Sequence, residues 1–408
     1  MTHLRNATVV DGHRFDITIS DGVITAIDQA HASRPVPTEP SHDLDGYLLL
    51  AAAADPHAHL DKAFSADQVQ NPAGHLLGAI EVWQRHYPNM SVEEIAGRAR
   101  RAALAGLTRG YTAVRSHVDV AEGVGVKAVE ALLSVRAELA PMIDIQVCGL
   151  VSTPTTGAAG AGNRAVLREA LHMGIDAVGG APYQDADPVA CLRFCLEEAA
   201  TFARPVDLHI DETLDSSVLV LRDYARIVRE TRFRYGATAG HCVSLGMQGP
   251  DVQREVAEEV AAAGISVIAN PFTNLYLQAR DRPVGAPRGL TALRPLLEAG
   301  ANLAAGTDNV EDPFNILGRR DPLEVAALLV MAGHLSPDEA YWAVSGAARQ
   351  AMGLPPNSVM VGSPADLLAV RAGSLREALA AGSIERLVFR KGELVARTEV
   401  SEWILPSS

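Results

Sequence analysis

Short β-branched runs alternate with longer stretches of helical period through most of this chain, and no other feature constrains its fold as strongly. Candidate helices between the runs include residues 91–107, 125–140 and 165–174, which begin or end at Ser, Asn or Gly caps. Such βα units surround a parallel sheet, and eight of them close a barrel of about 250 residues. We therefore predict an α/β fold whose main part is a (β/α)8 TIM-type barrel. The eight strand-like runs are Tyr47–His59, Tyr111–Val120, Ile143–Val151, Ile175–Pro182, Val206–Glu212, Ala237–Ser244, Ile265–Pro271 and Asn302–Asn309.

The two ends of the chain have a different pattern from the barrel segment. Residues 1–46 contain the short strand-like runs NATVVDG and FDITISDGVITAID, and residues 357–408 contain DLLAV and RLVFRKGELVAR. We predict that both ends form one small composite β-sandwich domain, with the barrel spanning residues 47–356. The Pro-rich segment 33–43 is predicted to be a loop within that domain.

Composition excludes several classes of protein. With 48% hydrophobic and 21% charged residues, the chain of 408 residues can bury a large core. It shows neither an apolar run of roughly 18 residues nor a secretory signal, so we expect a cytoplasmic protein without a membrane segment. A net charge of −14 argues against nucleic acid and leaves a small-molecule substrate as the expected partner. The sequence does not decide between a monomer and a homo-oligomer.

Five side chains of the type that binds metals fall near the ends of predicted strands. His57 and His59 end the first run and, two residues apart on a strand, project to the same face. A His-x-His pair alone is weak evidence in a chain with 13 histidines. His209, His241 and Asp308, however, lie near the ends of the fifth, sixth and eighth runs. The C-terminal ends of barrel strands form the catalytic face of such folds, so the five residues predict a metal site.

The motifs around these residues resemble those of the amidohydrolase superfamily, in particular its cytosine deaminase branch with the related N-isopropylammelide-type aminohydrolases. The matching segments run nearly from end to end and are PHAHLDKAF, VRSHVDV, DLHIDE, GHCVS, ANPFTNLYLQAR, GTDNVEDPF and VGSPADLLAV. The resemblance implies a TIM-type barrel with an attached β-sandwich. It also implies a hydrolase acting on carbon–nitrogen bonds other than peptide bonds.

The resemblance further implies the metal ligands and their number. Carried over by motif, His57, His59, His209 and Asp308 would bind one divalent ion per subunit, and zinc and iron both suit these ligands. Binuclear members of the superfamily bridge two metals through a carbamylated lysine, typically on the fourth strand. The sequence has no lysine between Lys127 and Lys391, so a site with a single metal is expected.

Catalytic roles can be argued from the chemistry of the same residues. Three imidazoles and a carboxylate would leave a position open for water, whose pKa then falls towards about 7. Asp308 can accept its proton, His241 can orient or polarise the oxygen, and Glu212 can pass a proton to a ring nitrogen and then to the leaving amine. We predict attack on a cyclic amidine with loss of ammonia or an amine. The alternatives are hydrolysis of a cyclic or linear amide, and a non-catalytic barrel that serves in assembly.

Residues expected to contact the substrate differ from those of cytosine deaminases. Ser152 and Thr153 replace a glutamine after the third strand, while Asn309 and Phe314 stand where the family has an aspartate and a tryptophan. Gln278 keeps the family pattern and is a further candidate contact. These differences argue against cytosine and favour another pyrimidine, a triazine or a similar nitrogen heterocycle.

Several other polar residues have two interpretations each. Lys62 is either a loop charge or a charge on the substrate side, and His117 lies either beside the pocket or in the barrel core. Asp312 either orients a neighbouring group or is solvated. The segment from His75 to His86, after the first strand, forms either a lid or a packed element.

Overall fold

A computed structural model describes residues 1–30 and 40–405. Within these residues the chain forms sixteen strands and thirteen α-helices. Residues 33–39 of the predicted Pro-rich loop lie outside the described residues. For Ser41–Asp43 the loop prediction was wrong, because these residues pair with β1 and form a strand. In chain order the strands are β1 Thr2–Thr8, β2 Arg14–Ser20, β3 Val23–Gln29, β4 Ser41–Asp43, β5 Tyr47–Ala51, β6 Ala53–Ala58, β7 Tyr111–Val120, β8 Asp144–Val151, β9 Ala177–Gly180, β10 Val206–Ile210, β11 Ala237–His241, β12 Ser266–Ala269, β13 Leu303–Ala305, β14 Leu367–Arg371, β15 Arg386–Arg390 and β16 Glu393–Thr398.

The helices lie mainly between the central strands. Their bounds are α1 Leu76–His86, α2 Val92–Arg109, α3 Lys127–Leu139, α4 Ala161–Met173, α5 Pro188–Thr201, α6 Val220–Thr231, α7 Pro250–Ala263, α8 Pro271–Leu277, α9 Leu293–Glu298, α10 Pro322–Gly333, α11 Pro337–Val344, α12 Gly346–Ala351 and α13 Leu375–Ala381. Across residues 1–30 and 40–405, none of these helices combines the length and the apolar character that crossing a membrane requires.

Helix α2 shows how local sequence sets these boundaries. The Ser91 hydroxyl accepts a hydrogen bond from the backbone N–H of Glu94, which satisfies one of the free donors at the start of the helix. The helix ends at Gly110, whose φ of 110° lies in the left-handed region that glycine adopts without steric cost. The predicted helix over 91–107 is thereby confirmed.

Strands β6 to β13 form a parallel sheet in which each strand pairs with the next along the chain. The sheet closes on itself where Ala58 forms a parallel bridge with Asp308. At this closure the Asp308 N–H donates to the His57 carbonyl at 2.9 Å, and the His59 N–H donates to the Asp308 carbonyl at 3.3 Å. The predicted (β/α)8 barrel is confirmed, and its closing hydrogen bonds join two of the segments expected to carry the site.

The first predicted strand run is divided between two sheets. Tyr47–Ala51 pairs antiparallel with β14, whereas Ala53–Ala58 pairs in parallel with β7 and begins the barrel. Ala52 separates them, since its N–H donates to the Asp366 carbonyl outside the barrel. Treating Tyr47–His59 as one strand was therefore wrong, because the apolar stretch 47–54 crosses the junction and does not reveal which sheet each half joins. We propose that the domain boundary lies at residue 52 rather than 46.

The terminal segments together form a second sheet with a core of its own. Its strand order is β16-β15-β14-β5-β1-β2-β3, with β4 beside β1. The sheet domain built from both termini is confirmed. Alternate residues of β5, β14 and β15 face its core and the barrel, as the two-residue period of strands requires. The buried core contains Leu4, Ile17, Ile19, Ile24, Leu49, Leu367, Leu387 and Phe389.

The two ends of the barrel differ in a way that positions the site. At the N-terminal end, α12 packs against β6, β12 and β13, and Ala347, Ala348 and the following Met352 are buried in one cluster with Ala54 and Ile268 of the strands. The Met352 carbonyl also accepts a hydrogen bond from the Gln146 side chain at 3.0 Å. The helix and these contacts cover this end of the barrel, which leaves the C-terminal ends of the strands for a pocket.

Candidate active site

The C-terminal end of the barrel brings the predicted metal ligands together. His57 lies in β6, His59 follows it directly, His209 lies in β10, His241 ends β11, and Asp308 follows β13. All five side chains are buried. Two backbone hydrogen bonds between the His57–His59 segment and Asp308 fix the latter beside the histidine pair. The C-terminal ends of the parallel strands all lie at one end of the barrel. Residues separated by up to about 250 positions in the sequence meet there.

Distances among four of these side chains fit the ligand sphere of one metal ion. His59 Nε2 lies 3.3 Å from His209 Nε2 and 3.4 Å from Asp308 Oδ1, and His57 Nε2 lies 3.8 Å from Asp308 Oδ1. Ligands about 2.1 Å from a tetrahedral ion are roughly 3.4 Å apart. Both ring nitrogens of His57 and the second carboxylate oxygen of Asp308 are buried without a hydrogen-bond partner. The predicted ligands are thus juxtaposed, with lone pairs free for a cation.

The protonation of these groups favours metal binding. Burial lowers the pKa of His57, His59 and His209 well below the usual value, and neighbouring positive groups lower it further. The imidazoles are therefore neutral and carry lone pairs at neutral pH. Burial raises the pKa of Asp308 well above its usual range, and the nearby Glu212 adds to that shift. A bound cation would reverse the shift on Asp308 because it stabilises the carboxylate.

His117 lies beneath this group and could form an alternative ligand set. Its ring centroid is 4.2 Å from that of His57, and the ligand atoms of His57, His59 and His117 lie within 4.8 Å of one another. Its Nε2, however, is 3.4 Å from Asp207 Oδ1, and Arg115 is 2.8 Å from the other oxygen of Asp207. His117 is therefore both in the barrel core and next to the site, so its two interpretations are not exclusive.

Glu212 and His241 face each other beside the ligand group. Glu212 Oε1 lies 3.5 Å from His241 Nδ1, and the Tyr183 hydroxyl lies 3.4 Å from the other carboxylate oxygen. Burial raises the pKa of Glu212 to about 8, so the carboxyl is largely protonated at neutral pH. The side chains of Asn274 and Asn270 lie 3.1 Å and 3.4 Å from the two ring nitrogens of His241 and hold its orientation.

A buried ion pair supports the His-x-His strand from below. Asp55, two residues before His57, accepts a hydrogen bond from the Thr307 N–H at 3.1 Å and pairs with Arg320 at 2.9 Å. These contacts tie the first barrel strand to the segment that carries Asp308. Sequence reasoning missed Asp55, Tyr183, Asn270 and Asn274. The only early signal was that Asp55 belongs to the same DPHAH motif as the ligands.

A cavity of about 530 Å³ opens above the histidines. Four of the predicted substrate contacts line it, namely Ser152, Thr153, Asn309 and Phe314. Gln278 does not. It lines an adjoining groove, and its side chain donates to the Glu212 carbonyl at 3.4 Å. The structure therefore brings four of the five candidate contacts to the metal ligands and places Gln278 behind Glu212.

Lys62 lies in the turn that follows β6 and is buried against the cavity, so it is both a loop residue and a charge on the substrate side. Its Nζ lies 2.8 Å from Asp119 Oδ2, and the same oxygen accepts a hydrogen bond from Trp83 Nε1 at 2.7 Å. Although burial lowers the pKa of Lys62, Asp119 and Asp61 raise it above the usual value, so the ammonium is charged. Lys62, Asp119 and Trp83 form one connected group on the cavity wall.

Two other uncertain interpretations are also decided by the structure. The segment after the first strand contains α1, and its Trp83 is buried and packed, so the segment forms a wall of the cavity. Asp312 is fully buried rather than solvated. It accepts hydrogen bonds from the Asn309 side chain at 2.8 Å and from the Phe314 N–H at 2.9 Å. Asp312 therefore shapes the loop that carries two of the candidate substrate contacts.

Comparison with known proteins decides the family. The family model described as "Amidohydrolase family" matches residues 65–385. The chain belongs to the amidohydrolase family. This amidohydrolase is 33% identical over 395 residues to a protein of Rhizobium rhizogenes named pterin deaminase, covering 94% of this chain and 88% of that protein. It is also 25% identical to the N-isopropylammelide isopropyl amidohydrolase of Pseudomonas sp. strain ADP, covering 88% of each chain.

Solved structures agree with this assignment. The amidohydrolase superposes on 5-methylcytosine deaminase from Klebsiella pneumoniae, liganded with 5-fluorocytosine, with a TM-score of 0.89 and 27% identity over 99% of both chains. The predicted family and the predicted reaction class, hydrolysis of carbon–nitrogen bonds other than peptide bonds, are confirmed. The fourth barrel strand, β9, reads AVGG and offers no side chain that could bridge two metals.

Proposed function

We propose that this amidohydrolase is a mononuclear metal-dependent deaminase that replaces the exocyclic amino group of a nitrogen heterocycle with oxygen. A fused 2-amino-4-oxo ring of the pterin type is the first candidate substrate. The observation that carries the proposal is the placement of Glu212 3.5 Å from His241, beside the converging side chains of His57, His59, His209 and Asp308. The 33% identity to a protein named pterin deaminase supports the choice of ring.

His57, His59, His209 and Asp308 would hold the metal ion. Imidazole and carboxylate ligands suit both zinc and iron, and the spacing of the four side chains fits one ion per subunit. When bound, such an ion lowers the pKa of water and polarises an acceptor, which supplies a nucleophile near neutral pH.

The remaining chemistry is assigned to three side chains. Asp308 accepts a proton from the attacking water, and His241 donates a hydrogen bond to the oxygen that becomes the new carbonyl. Glu212 gives its proton to the ring nitrogen next to the carbon under attack, then takes the remaining proton of the added hydroxyl and passes it to the amino group. The proton held by Asp308 returns to Glu212 at the end of the cycle. The carbon–nitrogen bond breaks, ammonia leaves, and the ring carbon is left as a carbonyl. One water is consumed for each ammonia released.

We assign recognition of the ring to the side chains around the metal cavity. Ser152 and Thr153 present hydroxyl groups on one side, and Asn309 presents an amide beside Asp308. Phe314 offers a flat apolar face for a planar ring. These groups can form hydrogen bonds with the edge of a heterocycle. They stand in place of the glutamine, aspartate and tryptophan expected in cytosine deaminases.

An ammonia-release screen tests the proposed function. Metal-loaded enzyme is incubated with pterin, cytosine, isocytosine, aminotriazines and aminopurines, and ammonia is measured together with the absorbance of the ring. We expect ammonia from at least one aminated ring with loss of its amino chromophore. A ring-opened acid without ammonia would instead indicate hydrolysis of a cyclic amide.

The cellular setting of the proposal is a reducing cytoplasm. All four cysteines, Cys148, Cys191, Cys195 and Cys242, are free and buried, as is usual where disulfides do not form. The net charge of −14 favours a small-molecule substrate and disfavours a nucleic acid as the partner.

A further inference from the structure

We propose that the substrate is a neutral heterocycle carrying an apolar substituent on the side away from the bond that is cleaved. The inference rests on the proposed function, because it specifies the substrate of the same site. It is drawn from the outer wall of the metal cavity, which the deaminase mechanism does not use.

Helix α1 supplies an apolar stripe to this outer wall. Leu76, Ile80 and Trp83 all line the cavity, and their spacing of four and then three residues places them on one face of the helix. The stripe continues through Tyr87 and Pro88 beyond the helix end. Leu76 and Ile80 are only partly buried, so contact with a ligand would remove further apolar surface from water.

The loops after β7 and β8 supply further apolar side chains to the same cavity. Val124 follows β7, and Ala159 and Pro154 follow β8. The histidines, Glu212 and Asp308 lie at the deep end of the cavity and are almost fully buried, whereas Gln84 and Pro88 are exposed at its mouth. A ring held at the ligands would therefore direct its far side toward the apolar wall.

The charges around the cavity disfavour an anionic substituent. Among the described residues that line it, Lys62 is the one lysine or arginine, and its charge is already paired with Asp119 at 2.8 Å. The lining carboxyl groups are Asp119, Glu122, Glu212 and Asp308. A carboxylate or phosphate held against the apolar wall would be desolvated with no free cation among the described residues that line this cavity, which is costly.

Matched ring substrates test the inference. Pterin, 6-methylpterin, 6-propylpterin and 6-carboxypterin carry the same amino group and differ only on the opposite ring. For metal-loaded enzyme we expect kcat/KM to rise from pterin to the alkyl derivatives, and to be at least about ten-fold lower for 6-carboxypterin than for 6-methylpterin. Equal or higher kcat/KM for 6-carboxypterin would overturn the inference while leaving the proposed function intact.

A substitution on the apolar stripe tests the physical cause. Ile80→Arg places a cation in the wall and should raise kcat/KM for 6-carboxypterin relative to 6-methylpterin by about ten-fold. Glu81→Gln changes the net charge by the same amount on the adjacent, exposed residue and should leave that ratio unchanged. An equal shift in both variants, or none in Ile80→Arg, would contradict the assignment of the wall. Circular dichroism and Tm confirm that both variants are folded.

Equilibrium binding separates failure of this inference from failure of the proposed function. If no ring is deaminated but the alkyl derivatives bind more tightly than 6-carboxypterin, the proposed reaction is wrong and the preference for an apolar substituent stands. Tighter binding of 6-carboxypterin would overturn the preference even without turnover. Absence of both binding and turnover across the aminated rings would overturn both.

Discussion

His59 and His209 present their Nε2 atoms to each other at 3.3 Å in the interior of the barrel. Two neutral imidazole nitrogens at this distance repel through their lone pairs unless a proton or a cation lies between them. Asp308 Oδ1, 3.4 Å from His59 Nε2, points to the same position. A shared metal ion accounts for both distances, whereas a hydrogen bond between the two rings accounts for only one.

Removal of one ligand should therefore release the metal. We expect His209→Ala to retain less than about a tenth of the wild-type metal content, since one of four ligands is lost. Metal per chain can be measured by plasma mass spectrometry after dialysis. His117→Asn is the matched control, because His117 is paired with Asp207 and should be dispensable for binding. Loss of metal in His117→Asn and retention in His209→Ala would show that the ligand set is wrong.

Glu212→Gln should separate proton transfer from metal binding. The substitution keeps the shape of the side chain but removes its acidic proton, and general acid–base catalysis typically contributes about 10²–10⁴-fold. We expect kcat to fall within that range while metal content stays at the wild-type level. Single-turnover ammonia release and metal analysis on the same sample provide the two measurements. Wild-type kcat in Glu212→Gln would exclude the carboxyl group from the reaction.

The pKa of Glu212 predicts the alkaline side of the pH profile. Burial raises this pKa to about 8 when no cation is bound, and a cation held by the neighbouring ligands would lower it. The protonated form is the one proposed to act, so kcat/KM of the metal-loaded enzyme should fall as pH rises through the pKa of Glu212, at about 8 or below. The contact with the Tyr183 hydroxyl lowers the pKa of Glu212. Tyr183→Phe should therefore shift the alkaline limb to higher pH. A shift to lower pH, or an alkaline limb that persists unchanged in Glu212→Gln, would assign the limb to another group.

The contributions of Lys62 and Asp119 to the free energy of unfolding should be coupled, because the two side chains form a buried ion pair. The Lys62 side chain is 3% exposed and that of Asp119 17% exposed. Lys62→Met leaves the carboxylate uncompensated and should cost about 3 kcal/mol in the free energy of unfolding. Adding Asp119→Asn, which keeps an acceptor for Trp83 Nε1, should recover part of that loss. The free energies of unfolding are measured in urea for both single variants and the double variant. If the loss in the double variant equals the sum of the two single losses, the residues are not coupled.

The sequence predicted those parts of the molecule that rest on regular periodicity and on strand ends. The alternation of β runs and helices suffices for the barrel, and the catalytic end of a barrel then collects His57, His209 and Asp308 without knowledge of distances. The division at Ala52 could not be predicted, because the apolar run 47–54 continues across the junction between β5 and β6, which pair in two different sheets.

Contacts that depend on loop geometry were also beyond prediction. Tyr183 reaches Glu212 from a short turn after β9, and Asn274 reaches His241 from α8, although nothing in the spacing of these residues links them. The placement of Gln278 behind Glu212 likewise follows from the path of the chain after α8 rather than from its motif. The residue types of Tyr183, Asn274 and Gln278 show that these side chains can form hydrogen bonds. Only the tertiary structure shows which partners they have.

Metal-dependent ammonia release tests the central claim most directly. Enzyme stripped by a chelator is titrated with zinc or ferrous iron, and ammonia from pterin is followed together with bound metal per chain. We predict no release from the stripped enzyme, and activity that rises linearly to a plateau at one metal per chain. Full activity in the stripped enzyme, or a plateau at two metals per chain, would contradict a mononuclear metal-dependent deaminase.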